Sequence, residues 1–158
     1  MIIAIWCRHT NTNIIAVNGE IPWYSRQDKK FFRRVSKLGS VAMGKNTYND
    51  IKINNPSFFD NQNYIVLSSQ DSIENIKYKT EHLILAGGCR IYYDFLTKTK
   101  VDVIYDSVYK GFLDLCDVSN KINISSSIDI LENKYTISKT FKIEENVICN
   151  KWILTTKL

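Results

Sequence analysis

The chain reads as a single α/β domain on a mostly parallel central sheet with an antiparallel hairpin at its C-terminal edge. Three observations predict this. Short apolar runs at residues 2–7, 41–44, 64–67 and 83–86 suit strands buried on both faces. Segments of helical character lie between several of them, the alternation expected of a parallel sheet. From residue 101 the chain turns β-rich, at 101–109, 135–143 and 147–156, and the last two runs flank the hairpin signal Glu144-Glu145-Asn146. At 158 residues, 44% hydrophobic and 23% charged, one domain over 1–158 is large enough to bury a core.

The elements follow in order. Residues 2–7 form the first strand, and residues 8–20, with Asn11, Asn13, Asn18 and Gly19, read as a long loop. Ser25 caps a helix running to about residue 37, and Asp28, three residues on, completes a capping-box-like start. Phe31, Phe32 and Val35 form its apolar side, its basic residues face out, and Gly39 ends it. After the strand at 41–44, Asn46 or Thr47 begins a short helix to about Ile51. Residues 54–62 form a polar loop with Pro56 and the pair Phe58-Phe59. The strand at 64–67 closes in Ser68-Ser69-Gln70. Residues 71–81 fit either a short helix or a strand, 83–86 is a buried strand, and 90–98 is an amphipathic helix.

No apolar run approaches a membrane span. Residues 1–6 enter an apolar run with no basic n-region and no small-residue cleavage pattern, so a strand rather than a signal peptide is expected, and the cytoplasm as location. Lys and Arg total 21 against 16 Asp and Glu, a net charge of +5 that suits an anionic ligand and would also suit nucleic acid. The densest basic cluster, Lys29, Lys30, Arg33 and Arg34, falls on one helix and reads as a solvated face, so no nucleic-acid partner is expected. Cys7, Cys89, Cys116 and Cys149 are scattered, without a CxxC, and the only histidines are His9 and His82. They read as reduced thiols, with neither a metal site nor a disulfide frame.

Two segments carry the chemistry. Ile21-Pro22-Trp23 followed by Asp28 sets a lone carboxylate at a helix start behind an apolar, Pro-stiffened loop. Leu85-Ala86-Gly87-Gly88-Cys89-Arg90-Ile91-Tyr92 runs a buried strand into two glycines and a basic helix start, where a phosphate can meet backbone N–H groups. An acid in an apolar pocket has its pKa raised, which suits proton delivery. Together these parts suit the nucleotide-dependent reduction of a small heterocycle. Taken in order, five segments resemble the dihydrofolate reductase family: Ile5-Trp6-Cys7; Ile21-Pro22-Trp23 with Asp28 and Phe32; Met43-Gly44-Lys45-Asn46-Thr47-Tyr48; Leu67-Ser68-Ser69; and Ala86-Gly87-Gly88 through Tyr92.

The resemblance implies a three-layer fold of that family, NADPH as cofactor, dihydrofolate or a related pterin as small-molecule substrate, and a monomer. It implies that Asp28 grips the amino-pyrimidine edge of the pterin and promotes protonation of N5. Ile5, Trp6, Cys7, Lys29, Phe32 and Ile51 would line the substrate pocket. Trp23 and Ile21 would sit on a loop closing over the nicotinamide, with Cys7 and Ile15 walling its pocket. Gly87 and Gly88, between Ala86 and Cys89, Ile91 and Tyr92, would let the cofactor approach the main chain. Gly44, Asn46 and Thr47 would present helix N–H groups to the pyrophosphate, Leu67 and Ser68 would also contact the cofactor, and Lys45, Ser69 and Arg90 would favour NADPH through its extra phosphate.

Three departures bear on the substrate. The family's arginine for the α-carboxylate of the glutamate tail is replaced, counting back from Asn63, by Asn61, and residues 52–62 hold no arginine. Lys29 stands where an apolar residue is usual, its ammonium free to reach tail carboxylates. Tyr105 falls where a threonine links the acid to the pterin. A related pterin or pyrimidine reductase on the same fold, and a non-catalytic nucleotide-binding paralogue, are the alternatives.

Overall fold

The computed structural model describes residues 1–116 and 118–155. Its strands are β1 (Ile2–His9), β2 (Ile14–Val17), β3 (Gly39–Gly44), β4 (Tyr64–Leu67), β5 (His82–Leu85), β6 (Val103–Tyr109), β7 (Lys121–Asn123), β8 (Tyr135–Glu144) and β9 (Val147–Leu154). Its helices are α1 (Arg26–Ser36), α2 (Lys45–Asn54), α3 (Cys89–Lys98) and α4 (Ser125–Lys134), with single 3₁₀ turns at Pro56–Phe59 and Ile73–Asn75. Seven strands form one sheet in the order β4-β3-β5-β1-β6-β9-β8. Pairing is parallel from β4 through β6 and antiparallel from β6 to β9 and β8.

Strand alternation divides the core into two layers. Ala4, Trp6, Ala42, Leu83, Leu85 and Ile104 face one side, where Tyr92 and Phe95 of α3 and Ile128 and Leu131 of α4 cover them. Ile3, Ile5, Val41, Met43, Ile84 and Val103 face the other, under Val35 of α1 and the aromatic group Phe31, Phe32, Phe58 and Tyr48. Three layers result. Among the described residues, no helix is long and apolar enough to cross a membrane.

Several expectations are corrected. Residues 8–20 are not one loop: β1 continues to His9, and β2 pairs antiparallel with β7. Val17 and Glu20 exchange two backbone hydrogen bonds around Asn18 and Gly19, both at positive φ, which is the geometry of a tight two-residue hairpin turn. Ser25 Oγ accepts from the Asp28 N–H at 3.1 Å, as a cap should, but the Asp28 carboxyl makes no return bond and turns toward the sheet. Gly39 does not end α1; it opens β3, where a Cβ would overlap the main-chain carbonyl of His82 on β5. Residues 71–81 form no strand, only the short turn at Ile73–Asn75. The last strand stops at Leu154, and Thr156 lies outside the described residues. Helix α4 and strand β7 were not anticipated.

Candidate active site

The cleft follows from topology. Neighbouring parallel strands β3 and β5 send their following helices to opposite faces, α2 to the α1 side and α3 to the α4 side. A crevice opens at the carboxyl ends of strands wherever connections diverge in this way. There Gly44 N–H donates to Gly87 O at 2.8 Å, tying the two strand ends together. Gly87 has φ +109°, and a Cβ on it would lie 3.2 Å from the Tyr92 hydroxyl; the Gly87–Gly88 peptide is cis. The space beside Gly88 is bounded by Thr47 Oγ1, 3.7 Å from where a Cβ would stand.

Gly44 caps α2 and Gly88 caps α3, and neither helix start receives a side-chain cap. Two ten-residue helices therefore present free N–H groups and positive dipole ends at one crevice. This is an anion-binding arrangement made from main chain alone. A groove of about 420 Å³ runs on from it along α2 and β4, with Lys45 and Ser68 at one end and Tyr48, Asn49 and Tyr64 at the other. Ser68 N–H is engaged by Asp71 Oδ2 at 2.6 Å, while Ser69 is exposed at the strand end.

On the α1 side the same edge carries an acid. Register aligns Cys7 of β1 with Ser107 of β6, and Ser107 with Cys149 of β9, so three small polar side chains form a row across the sheet. Asp28 faces this row from the first turn of α1. Burial pushes its carboxyl pKa above the ordinary 3.8; the Ser107 hydroxyl and Cys7 thiol pull it down, and Glu144 adds a smaller push upward. Ser107 Oγ is fully buried and completes no hydrogen bond of its own, so a spare donor faces the carboxylate. The Cys7 thiol is pushed up by burial and then by the Asp28 charge, while the nearby Trp23 side chain pulls it back. Both neighbours of the acid are thus neutral hydrogen-bond donors. Ile5, Phe32 and Ile51 belong to the apolar layer around this acid.

Tyr105 is not the partner of the acid. It stands two residues earlier on β6, edge-on to Phe31 at 5.4 Å, and Ser107 occupies the position beside Asp28. The strand period explains the miss: residues 105 and 107 share a face, and only register with Cys7 separates them. Trp6 is also corrected. Its side chain lies in the α3/α4 layer, at 5.1 Å from Tyr92 and bonded to Asp106, so only its main chain reaches the α1 side.

Trp23 stacks on Tyr109 at 4.9 Å and 6°, fastening the loop end to β6, while Ile21 is exposed. Ile15 packs against the cluster that contains Tyr92, whose hydroxyl donates to Ile5 O at 2.6 Å. Lys29 is exposed, with its ammonium 4.7 Å from the Tyr24 ring. Arg90 pairs with Asp94 at 3.8 Å and lines a separate depression with Tyr93, Asn123 and Ser126. It therefore lies apart from the Lys45 groove. Cys89 is a half-buried free thiol beside Arg90. Asn61 is a left-handed turn residue at φ 58°, and the side chain that reaches α1 from this loop is Gln62, bonded to Ser36 O and Gly39 O at 3.0 Å. No group of three His, Cys, Asp or Glu side chains fit to hold a metal occurs among the described residues.

Comparison with known proteins places these features in context. The family model described as dihydrofolate reductase matches residues 1–130. A dihydrofolate reductase of Ureaplasma parvum is 27% identical over 138 residues, covering 80% of this chain and 85% of its own length. One from Staphylococcus aureus is 25% identical over 122 residues, covering 70% and 73%. Among solved structures, dihydrofolate reductase from Enterococcus faecalis, complexed with NADP(H) and RAB-propyl, superposes with a TM-score of 0.72 at 18% identity over 99% of this chain and 97% of that one.

Proposed function

The chain belongs to the dihydrofolate reductase family, and on that premise we propose that it reduces 7,8-dihydrofolate to 5,6,7,8-tetrahydrofolate with NADPH. The observation that carries this reading is the placement of Asp28, sunk against the sheet and facing two neutral donors, at the strand edge where two glycine-capped helix starts open. The residues present fit the cofactor. A cradle that a Cβ on Gly87 would crowd, free N–H groups of α2 and α3, and Lys45 beside Ser68 suit its phosphates. When bound there, NADPH supplies the hydride for C6 of the pterin.

The chain's own groups do the rest. Asp28 accepts from the amino-pyrimidine edge, and burial, by raising its carboxyl pKa, favours the proton uptake that promotes protonation at N5. Ser107 completes the link between carboxyl and ring with the hydroxyl it has free. Ile5, Phe32 and Ile51 keep water from the acid. Trp23, held on Tyr109, fixes the end of the closing loop.

The direct test is NADPH oxidation followed at its absorbance, with dihydrofolate and with an untailed dihydropterin. Turnover with dihydrofolate supports the reading. Turnover with the untailed ring alone selects a related pterin reductase, the outcome favoured by the missing arginine at 52–62.

Three substitutions check the residue assignments. Ser107→Ala is expected to leave stability within about 0.5 kcal/mol, because its hydroxyl completes no bond within the protein, yet to lower the turnover number roughly tenfold, because the donor that would link the charged carboxyl to the ring is gone. Tyr105→Phe should stay within about twofold, since that hydroxyl stands away from the acid. Lys45→Ala is expected to weaken NADPH about tenfold and NADH by less than about twofold, as one charge-assisted contact to the extra phosphate is lost. Dissociation constants from fluorescence titration of both cofactors decide it.

A further inference from the structure

On the α3/α4 side of the sheet, Arg8 and Asp106 form an ion pair that has one donor to spare. Arg8 spends Nε and Nη2 on the carboxylate, at 2.8 and 3.1 Å, and its side chain is only 13% exposed. The third nitrogen, Nη1, donates away from the sheet, to Asn13 Oδ1 at 2.8 Å. A guanidinium removed from water must satisfy its donors, so this bond is part of the pair's own stability.

Asn13 has every polar group engaged. Its N–H donates to His9 O at 2.9 Å and its carbonyl accepts from the Ile124 N–H at 2.9 Å. Its Oδ1 accepts from Arg8, and its Nδ2 donates to Ser125 Oγ at 3.3 Å. Its φ of 57° lies in the left-handed region, which Asn tolerates. One residue thus joins the buried charges of the sheet to the start of α4. The turn is also braced from within: Thr12 Oγ1 meets His9 Nδ1 at 3.0 Å and accepts from the Ile14 N–H at 3.3 Å. Those contacts shape the turn; the Arg8 bond ties it to Asp106.

Asn13 leads into a segment that touches both sides of the cleft. β2 pairs with β7, and Ile15 packs into the cluster that contains Tyr92 of α3. The turn at Gly19 comes up to α2, where a Cβ would stand 3.4 Å from Asp50 Oδ1. The segment then returns through Trp23, stacked on Tyr109. Because the cleft opens between α2 and α3, residues 14–20 cross it.

We propose that Arg8 and Asn13 are positioning residues for the cofactor: the guanidinium held by Asp106 fixes Asn13, and Asn13 holds residues 14–20 down over the cleft. This rests on the reductase reading and adds to it a source of cofactor retention that lies inside the sheet. A cofactor reaching under these residues binds only as well as their closed position is populated, and a bond from a charged donor favours that position. Arg8 and Cys7 point to opposite faces of β1, so this control acts from behind the sheet and not through Asp28.

The test compares the parent with Asn13→Gly and Asn13→Asp. Glycine adopts the φ of Asn13 without strain and removes only the side-chain bonds, while aspartate restores an acceptor for Arg8. Fluorescence titration gives dissociation constants for NADPH and for its adenosine bisphosphate half, which lacks the nicotinamide. Amide hydrogen exchange is followed in the cofactor-free protein. In Asn13→Gly, NADPH is expected to bind about tenfold more weakly and the half-cofactor within about twofold of the parent. Exchange should quicken about tenfold at residues 14–17 and 121–123 and stay unchanged in the main sheet. Asn13→Asp should bring all three readings back to within about threefold of the parent. Equal weakening of NADPH and its half, exchange quickened throughout the sheet, or no rescue by aspartate overturns the proposal. A parent that neither binds NADPH nor oxidises it with dihydrofolate overturns the reductase reading and this proposal with it. A parent that turns over, with both Asn13 variants binding NADPH as it does, overturns this proposal alone.

Discussion

Asp28→Asn is expected to lower the rate of hydride transfer to dihydrofolate at neutral pH by at least about 100-fold while leaving NADPH affinity within about twofold. The amide keeps the shape of the carboxyl and its place at the start of α1, but it cannot carry a proton to the ring. The glycine-capped starts of α2 and α3 follow other strands and should not register the change. The pH dependence carries a further signature. Burial raises the carboxyl pKa above 3.8, so the rate of the parent enzyme should fall as pH rises through that elevated value, and the residual rate of the variant should not follow.

Stability should move the other way. A carboxyl whose folded-state pKa is raised contributes stability fully present below the unfolded value and lost as pH rises through the folded one. Above that folded value the parent bears a desolvated charge that Asp28→Asn removes, and there the variant should melt higher. Below the ordinary carboxylate value both proteins are neutral at this site and the gap should close. Single-turnover kinetics and thermal melts across pH read both effects. A variant with the parent's rate would remove Asp28 from the mechanism.

The parts of the fold and site that sequence conveyed are those whose cause is local. Four of the seven strands of the main sheet are built on apolar runs bounded by turn residues, and the cap at Ser25 is a short-range hydrogen bond. The placement of Asp28 in the first turn of α1 and of Gly87-Gly88 between β5 and α3 was legible because both lie within a few residues of the cap or strand end that fixes them. What escaped depends on pairing between distant segments. β2 is only four residues long amid asparagines and exists because residues 121–123 lie beside it. Helix α4 shows apolar spacing at Ile124, Ile128 and Leu131, but three serines at its start obscured the pattern. Ser107 was passed over for Tyr105 because one strand face offers both hydroxyls. Which of them meets the acid is fixed by alignment with Cys7, about a hundred positions away in the chain. Trp6 failed for the same reason: parity along β1 sets its face, and the apolar run at residues 2–7 gives no outward sign of parity.

That other face of β1 holds the second large effect. Asp106 is fully buried and accepts from the Trp6 indole N–H at 2.6 Å, from Arg8 Nε at 2.8 Å and Nη2 at 3.1 Å, and from the Trp152 indole N–H at 3.2 Å. One carboxylate thus ties β1, β6 and β9 together on the face opposite Asp28. Asp106→Ala leaves two indole donors and a largely buried guanidinium facing a void, and Arg8 retains only its bond to Asn13 Oδ1. A loss of about 3–5 kcal/mol in urea unfolding is expected, with the midpoint falling and the slope unchanged. Removing the cation as well should recover part of it: Arg8→Met with Asp106→Leu replaces the pair by apolar volume and should be less destabilised than Asp106→Ala. Because Ser107 follows Asp106 on the same strand and faces Asp28, the proposed acid, folded Asp106→Ala should also lose turnover, while the paired replacement, which keeps the strands packed, should regain it. A destabilisation below about 1 kcal/mol would mean that water or Asn13 satisfies Arg8 without the carboxylate, and that the three strands are aligned by their main-chain ladders alone.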